Sequence, residues 1–229
     1  MKKQLVGLLS VMVLLGCQEA KKEVQDETSP IVEEIEDAKN EIDYASLGIE
    51  TSDIPEGLNV GDMIPDLSFT NANNQLEAFK TYYEKQPIVV IFYRGYWCPI
   101  CNQHLSEFAE KAKDIETAGA KLIAISPESY ENVAKTKEQT SADFTIISDL
   151  DGNIAKAFDV TFEVTNDYQA MILDKLNASI IETNANKKGE LPIPATFIID
   201  KTGKIVYRQF DPDYKNRASV EEILKNLPQ

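Results

Sequence analysis

Hydrophobic residues from about position 58 onward fall into two alternating kinds of segment. Short runs of β-branched and aromatic residues predict buried strands, and longer segments with apolar residues at helical spacing predict helices. The predicted strands cover positions 88–93, 121–126, 144–148, 195–200 and 204–208. The predicted helices cover about 102–117, 128–141, 153–158 and 220–227. Strands joined by helices early and a hairpin late predict an α/β fold with a central mixed β-sheet flanked by helices.

The region before this alternating pattern has a different composition. Between positions 18 and about 55 the residues are mostly Glu, Asp, Lys, Ser and Thr, with almost no aromatic side chains. Such a segment cannot bury enough apolar surface to offset the entropy lost on ordering. We interpret it as a flexible acidic tether. A short helix around 31–41 is the alternative, because apolar residues recur there at helical spacing.

The overall charge narrows the classes of partner. The chain of 229 residues carries a formal net charge of −15 at pH 7. That sign argues against binding to nucleic acid and against electrostatic attraction to anionic lipid. It favours solubility and does not identify the chemistry.

The first 17 residues resemble a bacterial lipoprotein signal. A basic start, Met1-Lys2-Lys3, precedes an apolar run that is too short to span a bilayer and ends at Leu14-Leu15-Gly16-Cys17. The resemblance implies cleavage before Cys17 and lipidation of that cysteine, so that the exported protein is anchored to a membrane and faces the periplasm or the cell exterior. An ordinary secretory signal with a chance cysteine is the alternative. The predicted organisation is a signal peptide over 1–16, a lipidated tether over 17–57 and a folded domain over 58–229.

Two cysteines three residues apart, Cys98 and Cys101, lie where a predicted strand ends and a helix begins. Helix N-termini expose unpaired N–H groups and the positive end of the helix dipole, and both favour a thiolate over a thiol. Pro99 fits the first turn of the helix, because the N–H that it lacks would have no partner there. A thiolate with a second thiol one turn away can attack an electrophile and then close a disulfide, which predicts redox chemistry.

Three other interpretations of the pair stay open. The two sulfurs and His104 have the spacing Cys-x-x-Cys-x-x-His and could contribute to a zinc site, although the sequence has no second Cys/His cluster for a fourth ligand. The cysteines could form a fixed disulfide, although so short a loop stabilises a fold little. They could also be buried structural cysteines. We predict no bound metal and no cofactor.

The order of a strand, Trp97-Cys98-Pro99-Ile100-Cys101 and a helix, with a later Ile193-Pro194 before a strand, resembles a thioredoxin fold. More closely, the region from 60 to 228 is similar to the peroxiredoxin-like branch of the alkyl hydroperoxide reductase/thiol-specific antioxidant family, through the motifs at 92–101, 148–153, 191–197 and 211–214. The resemblance implies a thioredoxin-like fold, with Cys98 as the attacking thiol and Cys101 as its resolving partner. It also implies an antioxidant oxidoreductase that depends on an external, thioredoxin-like thiol reductant.

The chain departs from that family's usual pattern at two positions. The family usually has a threonine three residues before the attacking cysteine and an arginine three residues before the phenylalanine of a later strand, where this chain has Gly95 and Pro194. Arg94 could partly replace the missing arginine, although a solvated or salt-bridged arginine at a strand end is the alternative. The buried carboxylate of thioredoxins is also absent, because Phe92 takes its position.

Further residues are expected to shape the site. Trp97 should line the site and pack. Pro194 matches the position of the cis-proline in thioredoxin-fold proteins and, if cis, would hold its neighbouring backbone against the cysteines for pairing with a substrate. His104 could transfer a proton, but a partly exposed helical histidine is the favoured interpretation. An insertion over about 161–190, with a core helix around Met171, could form part of a substrate groove or a homodimer surface.

Two mechanisms end in the same disulfide. If Cys98 attacks a disulfide, a mixed disulfide forms and Cys101 resolves it. If Cys98 attacks a hydroperoxide, it becomes a sulfenic acid that condenses with Cys101. The departures at Gly95 and Pro194 favour disulfide exchange, which we expect, with a thiol peroxidase as the alternative. The rival of a different class is a non-catalytic, lipid-anchored binding domain with a fixed disulfide.

Overall fold

The computed structural model describes residues 42–52 and 54–228. Its strands are β1 (Ser68–Thr70), β2 (Leu76–Ala78), β3 (Ile88–Phe92), β4 (Lys121–Ser126), β5 (Thr145–Ser148), β6 (Thr161–Glu163), β7 (Glu190–Pro192), β8 (Ala195–Ile199) and β9 (Ile205–Phe210). Its helices are α1 (Lys80–Tyr83), α2 (Pro99–Thr117), α3 (Tyr130–Thr140), α4 (Asn153–Ala157), α5 (Asn166–Leu176), α6 (Ile180–Thr183) and α7 (Val220–Asn226).

The central sheet has five strands in the order β5-β4-β3-β8-β9. Strands β3, β4 and β5 are parallel, while β8 pairs antiparallel with both β3 and β9. The carboxyl ends of β3, β4 and β5 therefore meet at one edge of the sheet, where the loop carrying the two cysteines begins. The predicted mixed sheet is confirmed.

Both faces of the central strand are covered. All five residues of β3 are buried, and successive residues point to opposite faces. On one face Val89 and Ile91 belong to a core that includes Leu105 and Phe108 of α2. On the other face Val90 packs in a separate core with Phe158 and Phe197 of the neighbouring segments. Two hydrophobic layers thus hold β3 rigidly below the cysteine loop.

The predicted strands and long helices lie within a few residues of their observed positions. The largest shift is at α2, which begins at Pro99 rather than 102, because Cys98 caps it. The sequence pattern missed the hairpin of β1 and β2, the short helices α1 and α6, and the paired strands β6 and β7. These elements have only three or four residues each, which is too short to establish a hydrophobic period.

The folded domain begins before the predicted boundary at position 58. Ile49 is 2% exposed and forms an isolated bridge with Val164. The Gly48 backbone lies against the Tyr168 ring, where an added Cβ would be 2.3 Å from the ring. The described residues before 58 were predicted to belong to the tether; this is corrected, because they pack on the domain through apolar contacts. The predicted signal peptide, Cys17 and the possible helix over 31–41 lie outside the described residues.

No helix within 42–52 or 54–228 is long and apolar enough to cross a membrane.

The predicted helix within the 161–190 insertion exists as α5, but fewer of its apolar residues are buried than a core helix would bury. Ile172 is buried and Met171 is partly buried, whereas Leu173 and Leu176 are 53% and 37% exposed. The helix packs through one face only, so several of its apolar residues remain at the surface.

Candidate active site

The two cysteines lie at the N-terminus of α2, directly after the loop that follows the central strand. Cys98 is the N-cap residue, its sulfur accepts a hydrogen bond from the Cys101 N–H at 3.3 Å, and Pro99 is the first helical residue. The cysteines are joined as a disulfide with their Cα atoms 5.2 Å apart, and neither is exposed to solvent. The predicted placement at the strand-to-helix junction is confirmed, and the helix dipole there favours a thiolate on Cys98 after reduction.

Arg94 contacts the sulfur of Cys98. Its Nη2 atom donates to the Cys98 Sγ at 3.1 Å, and its Nη1 atom donates to the Tyr168 hydroxyl at 2.6 Å. The guanidinium carbon lies 3.9 Å from the centre of the Tyr214 ring, a cation–π contact. Only 4% of Arg94 is exposed, so the interpretation as a solvated arginine is wrong. Cys98, Tyr168 and Tyr214 thus contact the guanidinium, and one of its terminal nitrogens donates to the Cys98 sulfur.

A loop between β9 and α7, residues 211–219, supplies the other side of the site and is called here the C-terminal loop. Tyr214 stacks on Arg94, and Arg217 directs Nη2 to the Cys101 sulfur at 3.5 Å. Burial, together with the positive charge of Arg94, lowers the pKa of Arg217 to about 9. Each of the two cysteine sulfurs therefore has its own arginine.

Sequence reasoning missed three of these residues as parts of the site. Tyr168 lies in the insertion, and no motif marked it. Tyr214 ends the motif at 211–214, so its importance could have been inferred, whereas Arg217 lies three residues beyond that motif and had no signal. All three reach the cysteines only through the tertiary fold.

His104 is buried, which corrects the prediction of a partly exposed histidine. It is 6% exposed, its Nε2 lies 2.9 Å from the Ala218 carbonyl oxygen, and its ring packs edge-on against Phe108. Burial lowers the pKa of His104 to about 4, so the ring is neutral at pH 7 and its Nε2–H donates to Ala218. The histidine ties α2 to the C-terminal loop. A role in proton transfer stays a prediction.

Glu128, which the sequence analysis did not identify, lies under the cysteine loop at the carboxyl end of β4. Its Oε2 accepts from the Tyr96 N–H at 2.9 Å, while its Oε1 and the Trp97 Nε1 have no hydrogen-bond partner among the described residues. Glu128 is fully buried, and Trp97 is 6% exposed and packs in the core, as expected. The position of Glu128 shortly after a parallel strand was a usable signal, because the carboxyl ends of such strands meet at one edge of the sheet.

Substitution of Glu128 by Gln is expected to change how stability depends on pH. Burial raises the pKa of Glu128 to about 8, compared with the ordinary 4.5 of an unfolded chain. Between these values the folded state binds a proton that the unfolded state has lost, so rising pH destabilises the fold. The stability of Glu128→Gln relative to the native chain should therefore rise by about 1.4 kcal/mol per pH unit across this window.

Urea denaturation at pH steps from 4 to 9 measures this difference. The exposed Glu131→Gln is the control for the removal of a carboxyl group at the surface. A stability difference between Glu128→Gln and the native chain that does not change with pH would contradict the buried, protonated carboxyl.

Pro194 is buried between β7 and β8, and its peptide bond is trans. No cis bond occurs in the described part of the chain. Ile193, immediately before it, is fully buried and donates its N–H to the Val160 carbonyl at 2.7 Å. The backbone that was predicted to pair with a substrate already has an internal partner.

The zinc interpretation does not fit the geometry. The two sulfurs are bonded to each other, and the Nε2 of His104 faces a carbonyl oxygen. Within the described residues there is no group of three or more His, Cys, Asp or Glu side chains that could hold a metal ion.

Comparison with known proteins gives a consistent family. Residues 60–208 match the AhpC/TSA family. Peroxiredoxin Bcp of Bacillus subtilis is 25% identical over 149 residues, which is 65% of this chain and 83% of the relative. The chloroplastic peroxiredoxin Q of Oryza sativa subsp. japonica is 25% identical over 170 residues, covering 73% of this chain and 67% of the relative.

Solved structures share the fold. The peroxiredoxin-like protein from Aquifex aeolicus has a TM-score of 0.57 at 20% identity, covering 75% of this chain and 87% of that chain. Reduced Prx3 from Vibrio vulnificus has a TM-score of 0.59 at 14% identity, covering 73% of this chain and 97% of that chain.

The family match covers more than half of the chain and includes both cysteines. A fixed disulfide in a non-catalytic binding domain is not favoured by that match, and neither is a pair of inert structural cysteines. The chain belongs to the AhpC/TSA family and is a thiol-dependent oxidoreductase of the peroxiredoxin-like type.

Proposed function

We propose that the protein reduces a hydroperoxide, with Cys98 as the attacking thiolate and Cys101 as the resolving thiol. The observation that carries the proposal is the Arg94 Nη2 atom 3.1 Å from the Cys98 sulfur. A guanidinium at this distance stabilises a thiolate before attack and the negative charge that develops on the leaving oxygen during attack. Arg94 thus supplies the function of the family arginine that Pro194 replaces.

The reaction proceeds in three steps. The Cys98 thiolate attacks the hydroperoxide, an S–O bond forms, the O–O bond breaks, and the leaving alkoxide takes a proton to become an alcohol. Cys101 then attacks the Cys98 sulfenic acid, the S–S bond forms and water leaves. An external thiol reductant, which we propose to be thioredoxin-like, returns two electrons by exchange and restores both thiols.

The backbone near Pro194 argues against a protein disulfide as the first electrophile. Exchange with a protein substrate was expected to use the chain before Pro194 as a pairing edge. Ile193 is buried and its N–H is bonded to Val160, so pairing there would require an internal hydrogen bond to break. A small hydroperoxide requires no pairing edge. Disulfide exchange with an outside protein remains the second candidate for the oxidising step.

A direct test offers both electrophiles to the reduced full chain and follows the Cys98–Cys101 disulfide by mass spectrometry. We expect rapid closure with hydrogen peroxide or an alkyl hydroperoxide and slow closure with a model protein disulfide. Cys98→Ser should abolish turnover, and Cys101→Ser should accumulate a sulfenic acid on Cys98 that dimedone traps. If protein disulfides alone caused the Cys98–Cys101 disulfide to form, the protein would be a disulfide reductase or oxidase and not a peroxidase.

We also propose that the protein is an exported lipoprotein, anchored through Cys17 to a membrane and facing the periplasm or the cell exterior. The support is the sequence alone: the basic start, the short apolar run and the residues Leu14 to Cys17. In a bacterial host, an alkyne analogue of palmitate should label the native chain and not Cys17→Ser, and the variant should leave the membrane fraction. Equal labelling of both chains would contradict the anchor.

The homodimer over 161–190 stays a prediction. That segment does carry exposed apolar side chains, Leu173, Leu176 and Ile181, and sedimentation at several protein concentrations would measure the association.

A further inference from the structure

The second arginine of the site contacts the cysteine that does not attack the substrate. Arg217 directs Nη2 to the Cys101 sulfur at 3.5 Å and donates from Nε to the Tyr214 carbonyl oxygen at 2.6 Å. Its remaining nitrogen, Nη1, is buried and has no hydrogen-bond partner within the part of the chain that the structure describes. A partly buried guanidinium with an unpaired N–H nitrogen can donate a further hydrogen bond to a thiolate, which is a stronger acceptor than a disulfide sulfur.

Among the described residues, no carboxylate forms a salt bridge with either arginine of the site. The salt bridges found among the described residues join Lys111 to Asp114, Lys156 to Glu190, Lys187 to Glu182 and Lys188 to Glu190. Arg94 and Arg217 are absent from that set, and their charges repel each other, which contributes to the lowered pKa of Arg217. A buried positive charge without a counter-ion is costly. A thiolate that appears on reduction would relieve that cost.

We propose that Arg217 is a catalytic residue that stabilises the thiolate of Cys101, both as the resolving nucleophile and as the leaving group. This inference rests on the proposed function for its first half only. In resolution, the Cys101 thiolate attacks the sulfur of the Cys98 sulfenic acid, the S–O bond breaks, and hydroxide takes a proton and leaves as water. Cys101 is oxidised and the sulfenic sulfur is reduced, so electrons balance.

The same contact acts in the opposite direction during reduction. An external thiolate attacks the Cys98 sulfur, the bond between the two cysteines breaks, and its electron pair leaves on Cys101 as a thiolate. A leaving thiol with a lower pKa departs faster. Arg217 beside Cys101 therefore assists the attack of the external thiol at Cys98, because it stabilises the charge that departs on Cys101.

The first experiment separates resolution from oxidation in the full chain. Reduced native protein, Arg217→Gln and Arg217→Lys are mixed with hydrogen peroxide, quenched with dimedone and analysed by mass spectrometry between pH 5 and 9. We expect disulfide closure in Arg217→Gln to slow by about tenfold or more relative to the oxidation of Cys98, and to recover as pH rises. Arg217→Lys should retain part of the rate of disulfide closure, because it keeps the positive charge but lacks the paired terminal nitrogens of the guanidinium.

Arg208→Gln is the matched control. Like Arg217, Arg208 donates to a backbone carbonyl, here that of Glu56, but neither cysteine is among its hydrogen-bond partners. It should leave the closure rate unchanged. If Arg217→Gln slows closure equally at every pH, the arginine only holds the C-terminal loop in place and the proposal is overturned.

The second experiment does not depend on peroxide chemistry. In the Cys98→Ser chain, Cys101 is the thiol whose alkylation by iodoacetamide is followed by peptide mass spectrometry as a function of pH. Adding Arg217→Gln should shift the alkylation midpoint of Cys101 upward by one pH unit or more, and the absence of a shift would overturn the role of Arg217. If hydrogen peroxide fails to oxidise the native chain while this shift is present, the proposed function fails and the inference stands.

Discussion

Replacing Arg94 by Met is expected to slow the oxidation of Cys98 by hydroperoxide about 10²–10³-fold. Methionine keeps an unbranched apolar stem, although a shorter one, and loses the charge and the donor 3.1 Å from the sulfur. Two effects combine: the thiolate becomes less populated, and the leaving oxygen loses its hydrogen-bond donor. Stopped-flow measurement of the first-step rate constant between pH 5 and 9 separates them.

Raising the pH should restore only the first of these two losses. Above the shifted pKa of Cys98 the thiolate is fully formed in Arg94→Met, yet the rate should stay below the native plateau because the leaving oxygen remains unassisted. Arg94→Lys should retain more activity than Met but less than the native chain, since an ammonium cannot contact the sulfur and the Tyr168 hydroxyl in the same fork. A native plateau in Arg94→Met would show that Arg94 acts on the thiol pKa alone.

Arg208→Met is the control for the loss of a positive charge. Arg208 contacts Glu56, Asn59 and Phe210, none of which touches the cysteines. Its removal should leave the first-step rate constant within about twofold of the native value. A comparable decrease of the rate constant in Arg208→Met and Arg94→Met would mean that the effect of Arg94 comes from the net charge of the chain.

The parts of the site that were predicted from sequence are those whose causes are local. A β-branched run makes β3, a proline is tolerated only in the first turn of α2, and a cysteine between them becomes the N-cap. All three signals lie within about a dozen consecutive residues. The fold class was predicted in the same way, because each long strand and helix shows its own period of hydrophobic residues.

Apart from Arg94, the groups around the sulfurs were not predicted, because they come from distant segments. Arg94 and Tyr168 are 74 residues apart in the chain, and Cys101 and Arg217 are 116 apart. Neither pair has a spacing that a helix or a strand would reveal. The error on His104 has the same origin: its helix position indicated partial exposure, and the Ala218 carbonyl that covers it belongs to the C-terminal loop.

Replacing Gly95 by Thr, which restores the residue usual in the family, is expected to destabilise the fold by about 3–5 kcal/mol. A Cβ on Gly95 would lie 2.5 Å from the Trp97 Nε1 and 2.6 Å from the Glu128 Oε1. Both neighbours are buried, so neither can move into solvent. The backbone φ of +155° adds strain for a β-branched residue. The variant should therefore lose the proposed peroxidase activity instead of improving it, as measured by urea denaturation and by the first-step rate constant.

Gly119→Thr separates the cost of the steric overlap at the Cβ from the cost of the backbone conformation. Gly119 also has a positive φ, +91°, but no atom lies within 4 Å of the position its Cβ would take. It should cost only about 1–2 kcal/mol, the price of the backbone conformation. A similar loss in both variants would mean that the space between Trp97 and Glu128 can expand. A larger loss at Gly95 would identify packing against Glu128 and Trp97 as the reason that this chain has no threonine at that position.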